Sequence, residues 1–572
     1  MARKDALAAL RQQPDVSVLI IGAGVNGIGT FRDLALQGVD VLLVDKADFC
    51  NGASAGSSHM LHGGIRYLEN GEFRLVREAL TERNRMLHNA PHYSKPLPTT
   101  IPIYSWLSGF LNAPLKFLNL RDKPSERGGV IIKLGLMMYD WFTRGQQGLP
   151  THRLIGRAES LKLRPKLNST IVATANYYDA WMPYPERICM EMVMDGEAAN
   201  PKARALNYVS LAGASGDTVT LKDELTGDTY TVKPKVVVNA AGPWIDLANR
   251  AMGEQTQFIG GTKGSHILVD NPELHEMLRG SEMFFENKDG RICLIFPILD
   301  KVIIGTTDIR SDIPDPVCTE EEVAYMIELV SYVFPNIKID RSQIVFWFCG
   351  VRPLPHSSAS RTGAISRDHS IQVIEPDSKI KFPVLSLVGG KWTTFRAFSE
   401  QTANAVMSRI GRRREGDTKN TPIGGGKGYP VSETAQSQWL ANLQQKTNLS
   451  AERVKTLFDR YGTYAEAIAT FCVAGQDNLL QSQPTYSQRE IRFLAEREKI
   501  VHLEDLLLRR SLLAMLGLVT GDLLNEVSII LADVLGWSEM QRQREVDRAG
   551  EVLQTRHGVA AEKLTPKAAI AS

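Results

Sequence analysis

The sequence predicts an α/β protein in three parts: a dinucleotide-binding Rossmann-like domain, a second domain built on a mixed or antiparallel sheet, and a C-terminal helical domain. Three observations carry this. A strand, a glycine turn, a helix and a second strand follow one another over 15–45. Short strand-like runs crowd 168–345, and from 432 to about 559 the chain reads as helix almost throughout.

The elements follow in order. Val16-Ser17-Val18-Leu19-Ile20-Ile21 is short, continuous and rich in β-branched residues, the pattern of a strand buried on both faces. Gly22-Ala23-Gly24-Val25-Asn26-Gly27 follows at once, then a predicted helix over 28–37 stopped by Gly38, then a strand over 39–44 ending at Asp45. A turn of helix is expected at 6–10. Residues 50–65 form a loop rich in Gly, Ser and His, and 68–88 an amphipathic helix. The stretch 101–120 is unusual: Trp106, Phe110 and Phe117 stand among leucines, with Pro102 and Pro114 as breakers and few acids. That composition suits an interfacial surface. A charged break at 121–127 precedes the apolar run 130–142. Strands are read at 218–221, 235–238, 266–269, 292–296 and 302–305, and helices at 185–198 and 320–333. A further apolar strand, 384–388, is followed by Gly389-Gly390 and a helix from Thr394. The segment 412–430, basic and then glycine-rich, reads as a linker, with Arg412-Arg413-Arg414 solvated. The tail from 560 is expected to be loose.

Composition limits the function. A chain of 572 residues is too long for one core, so two or three domains are expected. Basic and acidic residues number 66 and 64, which leaves no overall field to attract nucleic acid. The six cysteines are scattered without a CxxC pair, which argues against a disulfide framework or a zinc site and for a reducing compartment. No metal site is predicted. No signal peptide and no bilayer-length apolar run is read, so the protein is expected to be soluble or attached to a membrane from one side.

Each glycine in the turn has a separate task. Gly22 permits the sharp exit from the strand, Gly24 lets a pyrophosphate approach the backbone, and Gly27 lets the helix pack on the strand. The helix N-terminus then faces the diphosphate charge. Asp45, 18 positions after Gly27, can accept hydrogen bonds from an adenosine ribose. The unit stands near the N-terminus, and the remaining chain does not continue as a βα series. That arrangement favours FAD over NAD.

Several segments resemble one family. Ser57-Ser58-His59-Met60-Leu61-His62-Gly63-Gly64-Ile65-Arg66-Tyr67-Leu68-Glu69, Asn239-Ala240-Ala241-Gly242-Pro243-Trp244, Lys263-Gly264-Ser265-His266 and Ile304-Gly305-Thr306-Thr307-Asp308 are similar to motifs of FAD-dependent, quinone-linked glycerol-3-phosphate dehydrogenases. So are Gly350-Val351-Arg352-Pro353-Leu354, Gly389-Gly390-Lys391-Trp392-Thr393-Thr394-Phe395-Arg396 and the C-terminal Glu504-Asp505-Leu506-Leu507-Leu508-Arg509-Arg510. The resemblance runs from about 15 to about 553. It implies an FAD-binding Rossmann-like domain with a mixed/antiparallel-sheet substrate domain and a C-terminal helical domain. The FAD parts fall at about 15–100, 200–255 and 345–400, and the substrate parts at about 101–199 and 256–344. A linker spans 401–430 and the helical domain 431–560. The implied reaction moves a hydride from C2 of sn-glycerol 3-phosphate to flavin N5, giving dihydroxyacetone phosphate, with electrons passed to a quinone. The implied location is cytoplasmic, peripherally attached to the inner face of the cytoplasmic membrane, and homodimerisation is compatible with it.

The same resemblance implies that FAD is contacted by Gly22, Gly24, Asn26, Gly27, Asp45, Lys46, Gly242, Gly389, Gly390, Thr393 and Thr394. Ser57, Ser58, Gly63 and Gly64 would border the isoalloxazine ring, where small residues suit a planar group. A phosphate monoester needs positive charge and donors in a closed pocket, which arginine supplies bidentately; Arg66, Arg352 and Lys391 match the substrate positions, with Tyr67 and Thr393 beside them. Alcohol oxidation needs a base for the hydroxyl proton; His266 is the first candidate and His62 the second. Two departures stand near the expected active site: His59 where the family has lysine, and Pro185-Glu186-Arg187 where it has Asp-Ala-Arg. They leave FAD binding untouched and open the substrate to another polyol phosphate, such as a tetritol phosphate. An oxygen-using oxidase of the same fold is the other alternative.

Overall fold

The structure, a computed structural model, describes residues 3–65, 72–108, 128–144, 148–287, 290–357, 365 and 367–566. Arg66, Tyr67 and the aromatic stretch 109–127 lie outside the described residues.

The first sheet carries the N-terminal unit. Its strands lie in the order Ser370–Ile374, Val384–Val388, Thr229–Asn239, Asp15–Ile21, Val41–Val44, Arg204–Leu206, all parallel except the first. Val41–Val44 and Val384–Val388 are buried throughout, which is why they read as continuous apolar runs. Helices Val25–Leu36, Pro185–Ala199 and Phe395–Arg409 share a core on one face, around Ile28, Phe31, Met192 and Phe398. The other face is covered by the hairpin Val209–Ser215/Thr218–Asp223 and by the helix Arg3–Gln12. That helix is longer than the single turn expected, because Ala6, Leu7 and Leu10 are buried against the sheet.

The second sheet is antiparallel in all its pairings but one, Glu282–Glu286 beside Lys95–Ile103. Its centre is Thr262–Val269, flanked by Lys301–Gly305 and Ile344–Arg352. Ile344–Arg352 was expected among the FAD parts and Pro185–Ala199 among the substrate parts; each joins the opposite layer. Ile344–Arg352 is an apolar strand and Pro185–Ala199 a helix with a buried apolar face, and only long-range packing decides which layer buries each. One face of this sheet is covered by the helices Pro272–Leu278 and Glu320–Val333.

The C-terminal helices Glu433–Thr447, Ala451–Tyr461, Gln488–Arg497, Gly521–Leu535 and Glu539–His557 each begin with a serine or threonine that accepts a backbone N–H. Their leucines continue the core of the second sheet through Leu268, Phe346 and Phe348. The segment 412–430 is a strap rather than a solvated linker. Arg414 pairs with Asp33 at 2.7 Å, Arg412 donates to Gly38 O at 2.8 Å, and Gly426 stands where a Cβ would lie 2.5 Å from Asn89 O.

Candidate active site

Three adjacent parallel strands end at one crevice, each in a glycine turn. After Asp15–Ile21 the backbone turns at Gly22, φ +102°, where a Cβ would meet Ala240 O at 2.6 Å. A Cβ on Gly27 would run into Gly22 O, so the helix closes on the turn only because both are glycine. Gly24 has one neighbour, Ser54 Oγ, which also accepts the Val25 N–H at 2.9 Å. The helix thus opens with backbone donors and without a side-chain cap, an arrangement that favours an anion. After Thr229–Asn239, Gly242 turns at φ +56° with open space at its Cβ position. After Val384–Val388, Gly389 and Gly390 turn at φ +77° and +89°, and Gly390 lies against Asn26 Nδ2. Crevices of this kind, at the carboxyl ends of parallel strands, receive nucleotides.

The surroundings suit an FAD. Asp45 Oδ2 accepts from Ala23 N–H at 2.6 Å and Oδ1 from Ala47 N–H at 2.9 Å; burial raises its carboxyl to about 6. The Lys46 ammonium lies 4.1 Å above the Trp244 ring. Asn26 Oδ1 and Thr394 Oγ1 are buried polar atoms that no protein group satisfies. Thr393 Oγ1 donates to His62 O at 3.1 Å, and Trp392 Nε1 to Ser54 O at 2.9 Å, tying the third turn to the 50–65 loop.

That loop lies against one face of the second sheet. Gly56 and Gly350 stack backbone to backbone, with a Cβ on Gly56 only 2.6 Å from Cys349 O. Along the same face, at every second position, run Gly264 and His266 on one strand and Phe348 and Arg352 on its neighbour. His266 stacks on Phe348 with centroids 4.8 Å apart, and its Nε2 is 2.8 Å from Ser58 Oγ. Burial, then Arg352, then His59 hold its imidazole well below the usual histidine range, so it is neutral. Its Nδ1 is buried without a partner. The Arg352 guanidinium lies over Gly264 and is oriented by Asp308 Oδ1 at 3.3 Å and Thr306 Oγ1 at 3.2 Å. Lys391, next to the Gly389-Gly390 turn, and Arg367 stand close enough to His62 for their charges to act on it. Burial, Lys391 and Arg367 lower His62 to about 3, and burial lowers Lys391 to about 8.

Gly63 is pinned from behind. Its N–H donates to Tyr139 OH and to Asp179 Oδ1, each at 3.0 Å, and Arg83 pairs with the same carboxylate at 3.0 Å. Gly64 follows at φ +75°. Ser57 Oγ accepts the His59 N–H at 3.3 Å.

Of the two departures, one lies at this site. His59 is buried 5.6 Å from Phe348, and burial lowers it to about 4, so a neutral imidazole occupies the position. Pro185-Glu186-Arg187 does not reach the site. Arg187 is buried against Glu498, Tyr93 OH and the Tyr461 ring, joining the first domain to the helical one. The sequence reading assigned no role to Phe348, Ser54, Asp179, Arg83, Tyr139 or Asp308. Asp308 stood inside a motif already quoted and Ser54 inside the small-residue loop, whereas nothing local marks Arg83 or Tyr139.

Comparison with known proteins agrees with this geometry. A family profile described as "FAD dependent oxidoreductase" matches residues 17–374, and one described as "C-terminal domain of alpha-glycerophosphate oxidase" matches 416–542. A glycerol-3-phosphate dehydrogenase of Synechocystis sp. is 32% identical over 95% of this chain and 97% of its own length. A D-erythritol 1-phosphate dehydrogenase of Brucella abortus is 31% identical over 86% of this chain and 93% of its own. The X-ray structure of the glycerol-3-phosphate dehydrogenase from Bacillus halodurans complexed with FAD superposes with a TM-score of 0.72 at 22% identity, covering 99% of this chain and 98% of that one. The fold is therefore the FAD-binding α/β fold with a substrate sheet and a helical C-terminal domain, and the cofactor is FAD. The chain belongs to the FAD-dependent oxidoreductases and, among them, to the glycerol-3-phosphate dehydrogenase family.

Proposed function

We propose that this protein oxidises sn-glycerol 3-phosphate to dihydroxyacetone phosphate. One juxtaposition carries the reading: a neutral, buried His266 on the same sheet face as an oriented Arg352, opposite the glycine loops. Bound FAD supplies the hydride acceptor. Arg352, fixed by Asp308 and Thr306, offers the fork a phosphate needs, and Lys391 adds a cation from the crevice. His266, neutral and held by Ser58, takes the proton of the C2 hydroxyl. Ser57, Ser58, Gly63 and Gly64 would border the flavin ring, and Asp45 would meet the ribose.

The test is anaerobic mixing of the yellow holoenzyme with a panel of polyols and their phosphates. Glycerol 3-phosphate is expected to bleach the flavin absorbance and glycerol to leave it unchanged. A second reading, a tetritol phosphate, is favoured by the neutral His59 beside His266 and by the likeness to the Brucella enzyme. Faster bleaching by the tetritol phosphate would select it. Bleaching by neither would sink both, and an oxygen electrode separates dehydrogenase from oxidase.

The reading extends to a quinone acceptor at the inner face of the cytoplasmic membrane. Helix Gly129–Phe142 supports it: Val130, Leu134, Met137 and Trp141 recur along one side and all are exposed, with Trp106 and Leu107 exposed nearby. No helix among the described residues is long and apolar enough to cross a bilayer, so such contact is made from one side.

A further inference from the structure

We propose that Arg509 and Arg510 of the C-terminal domain are positioning residues of the FAD site, acting through Asp48 on the glycine loop. The inference rests on the cofactor and not on the identity of the substrate. Ala23, between Gly22 and Gly24, has both its backbone groups held by the segment 45–50: its N–H donates to Asp45 Oδ2 at 2.6 Å, and its carbonyl accepts the Cys50 N–H at 2.8 Å. The glycine loop therefore has the shape that this segment imposes.

Asp48 is the anchor of the segment. Its side chain is completely buried, and four donors converge on it. Asn207 Nδ2 reaches Oδ1 at 2.9 Å, Arg510 grips both oxygens at 2.7 and 3.0 Å, and Arg509 Nε reaches Oδ2 at 2.7 Å. Burial alone would raise this carboxyl, but Arg510 and Arg509 hold it far below the usual carboxylate range. The arginines are themselves fixed. They sit on the π-helical turn Leu506–Arg510; Arg509 also bonds Asp505 Oδ1 at 2.6 Å, and Arg510 donates to Glu498 O at 3.0 Å. Asp505 accepts from Tyr208 OH at 2.6 Å, and Tyr208 N–H bonds Ala47 O at 3.0 Å, which closes the ring back onto the segment. A domain that supplies none of the glycine turns thus sets the position of the loop that receives the diphosphate. A two-point arginine–carboxylate contact transmits position as well as charge.

The experiment follows FAD release from full-length holoenzyme, read as recovery of free flavin fluorescence. Arg510→Gln is expected to speed release about tenfold or more, the scale of a lost hydrogen bond to a buried charge. Arg510→Lys, which keeps the charge without the fork, is expected between Arg510→Gln and the parent, and Arg509→Gln to give a smaller increase. Glu490→Gln is the comparator: it breaks the buried pairs with Arg453 and Arg460 inside the helical domain and lowers Tm, yet touches neither the arginine pair nor the segment 45–50, so release is expected at the parental rate. Parental release from Arg510→Gln would overturn the proposal. So would release from Glu490→Gln accelerated as much as from Arg510→Gln at the same loss of Tm, because that would be general loosening. If Arg510→Gln does not fold, Arg509→Gln decides, since it leaves the two-point contact in place; unchanged release from it would equally overturn the proposal.

Discussion

At the scale of single residues, the proposed site sets a neutral imidazole beside an ammonium lowered to about 8. His266 is buried, stacked on Phe348 and close to Arg352, and all of this disfavours its cation. A base whose pKa is depressed stays available down to low pH, so no acidic limb near the ordinary histidine value is expected in kcat/KM. Replacing His266 by Asn should lower kcat by about 10²–10⁴-fold while the flavin spectrum persists. Loss of the spectrum instead would make His266 a structural residue. Lys391 has the opposite sign. It is a cation below about 8 and loses its charge as pH rises through that value. Affinity for a phosphate dianion should therefore fall on the alkaline side, seen as a rise in KM above about 8 with kcat little changed. Lys391→Arg, which stays charged, should remove that limb. A limb that survives in the arginine variant belongs to another group.

At the scale of elements, the face proposed to receive substrate depends on two strands whose register puts a glycine under a guanidinium. Gly264 pairs with Gly350, and a methyl at 264 would lie within 2.7 Å of Arg352 Cζ. Gly264→Ala should push the guanidinium away from Asp308 and Thr306. It should raise KM for the phosphate substrate about tenfold, with the FAD spectrum unchanged. An unchanged KM would show that Arg352 does not hold the phosphate. This element also shows what a sequence can and cannot disclose. The strand–turn–helix at 15–36 was legible because each glycine answers a local steric demand, and helix Glu320–Val333 because Thr319 and Glu322 form a capping box at its start. Arg352 and His266 were legible as residue types in motifs. Their adjacency was not, because it comes from the pairing of strands about eighty residues apart in the chain. Tyr139 and Arg83 were invisible for the same reason: their link to Gly63 exists only after a helix and a strand have packed.

At the scale of the molecule, the helical domain and the strap at 412–430 bind the two sheets into one body, and among the described residues the helix Gly129–Phe142 carries an exposed apolar stripe. On helix Gly129–Phe142 the inward residues Ile132, Leu136 and Tyr139 are buried, and Tyr139 reaches Gly63. The outward residues Val130, Leu134, Met137 and Trp141 are apolar and exposed, with the exposed cations Lys133 and Arg144 beside them. A helix that is apolar on both faces must bury the second face against something. A lipid surface suits this one, because an aromatic and aliphatic stripe edged by cations matches the boundary between acyl chains and anionic headgroups. The contact should be measurable on the full-length protein by sedimentation with phosphatidylglycerol-containing vesicles. Leu134→Glu combined with Trp141→Glu should weaken binding by more than about tenfold, since each apolar side chain contributes on the order of 1.5–3 kcal/mol when buried. Dye-linked turnover in detergent should be unchanged, as neither residue touches the crevice. Undiminished sedimentation of the double variant would move the attachment surface off this helix, and equal binding to neutral and anionic vesicles would remove the role of Lys133 and Arg144.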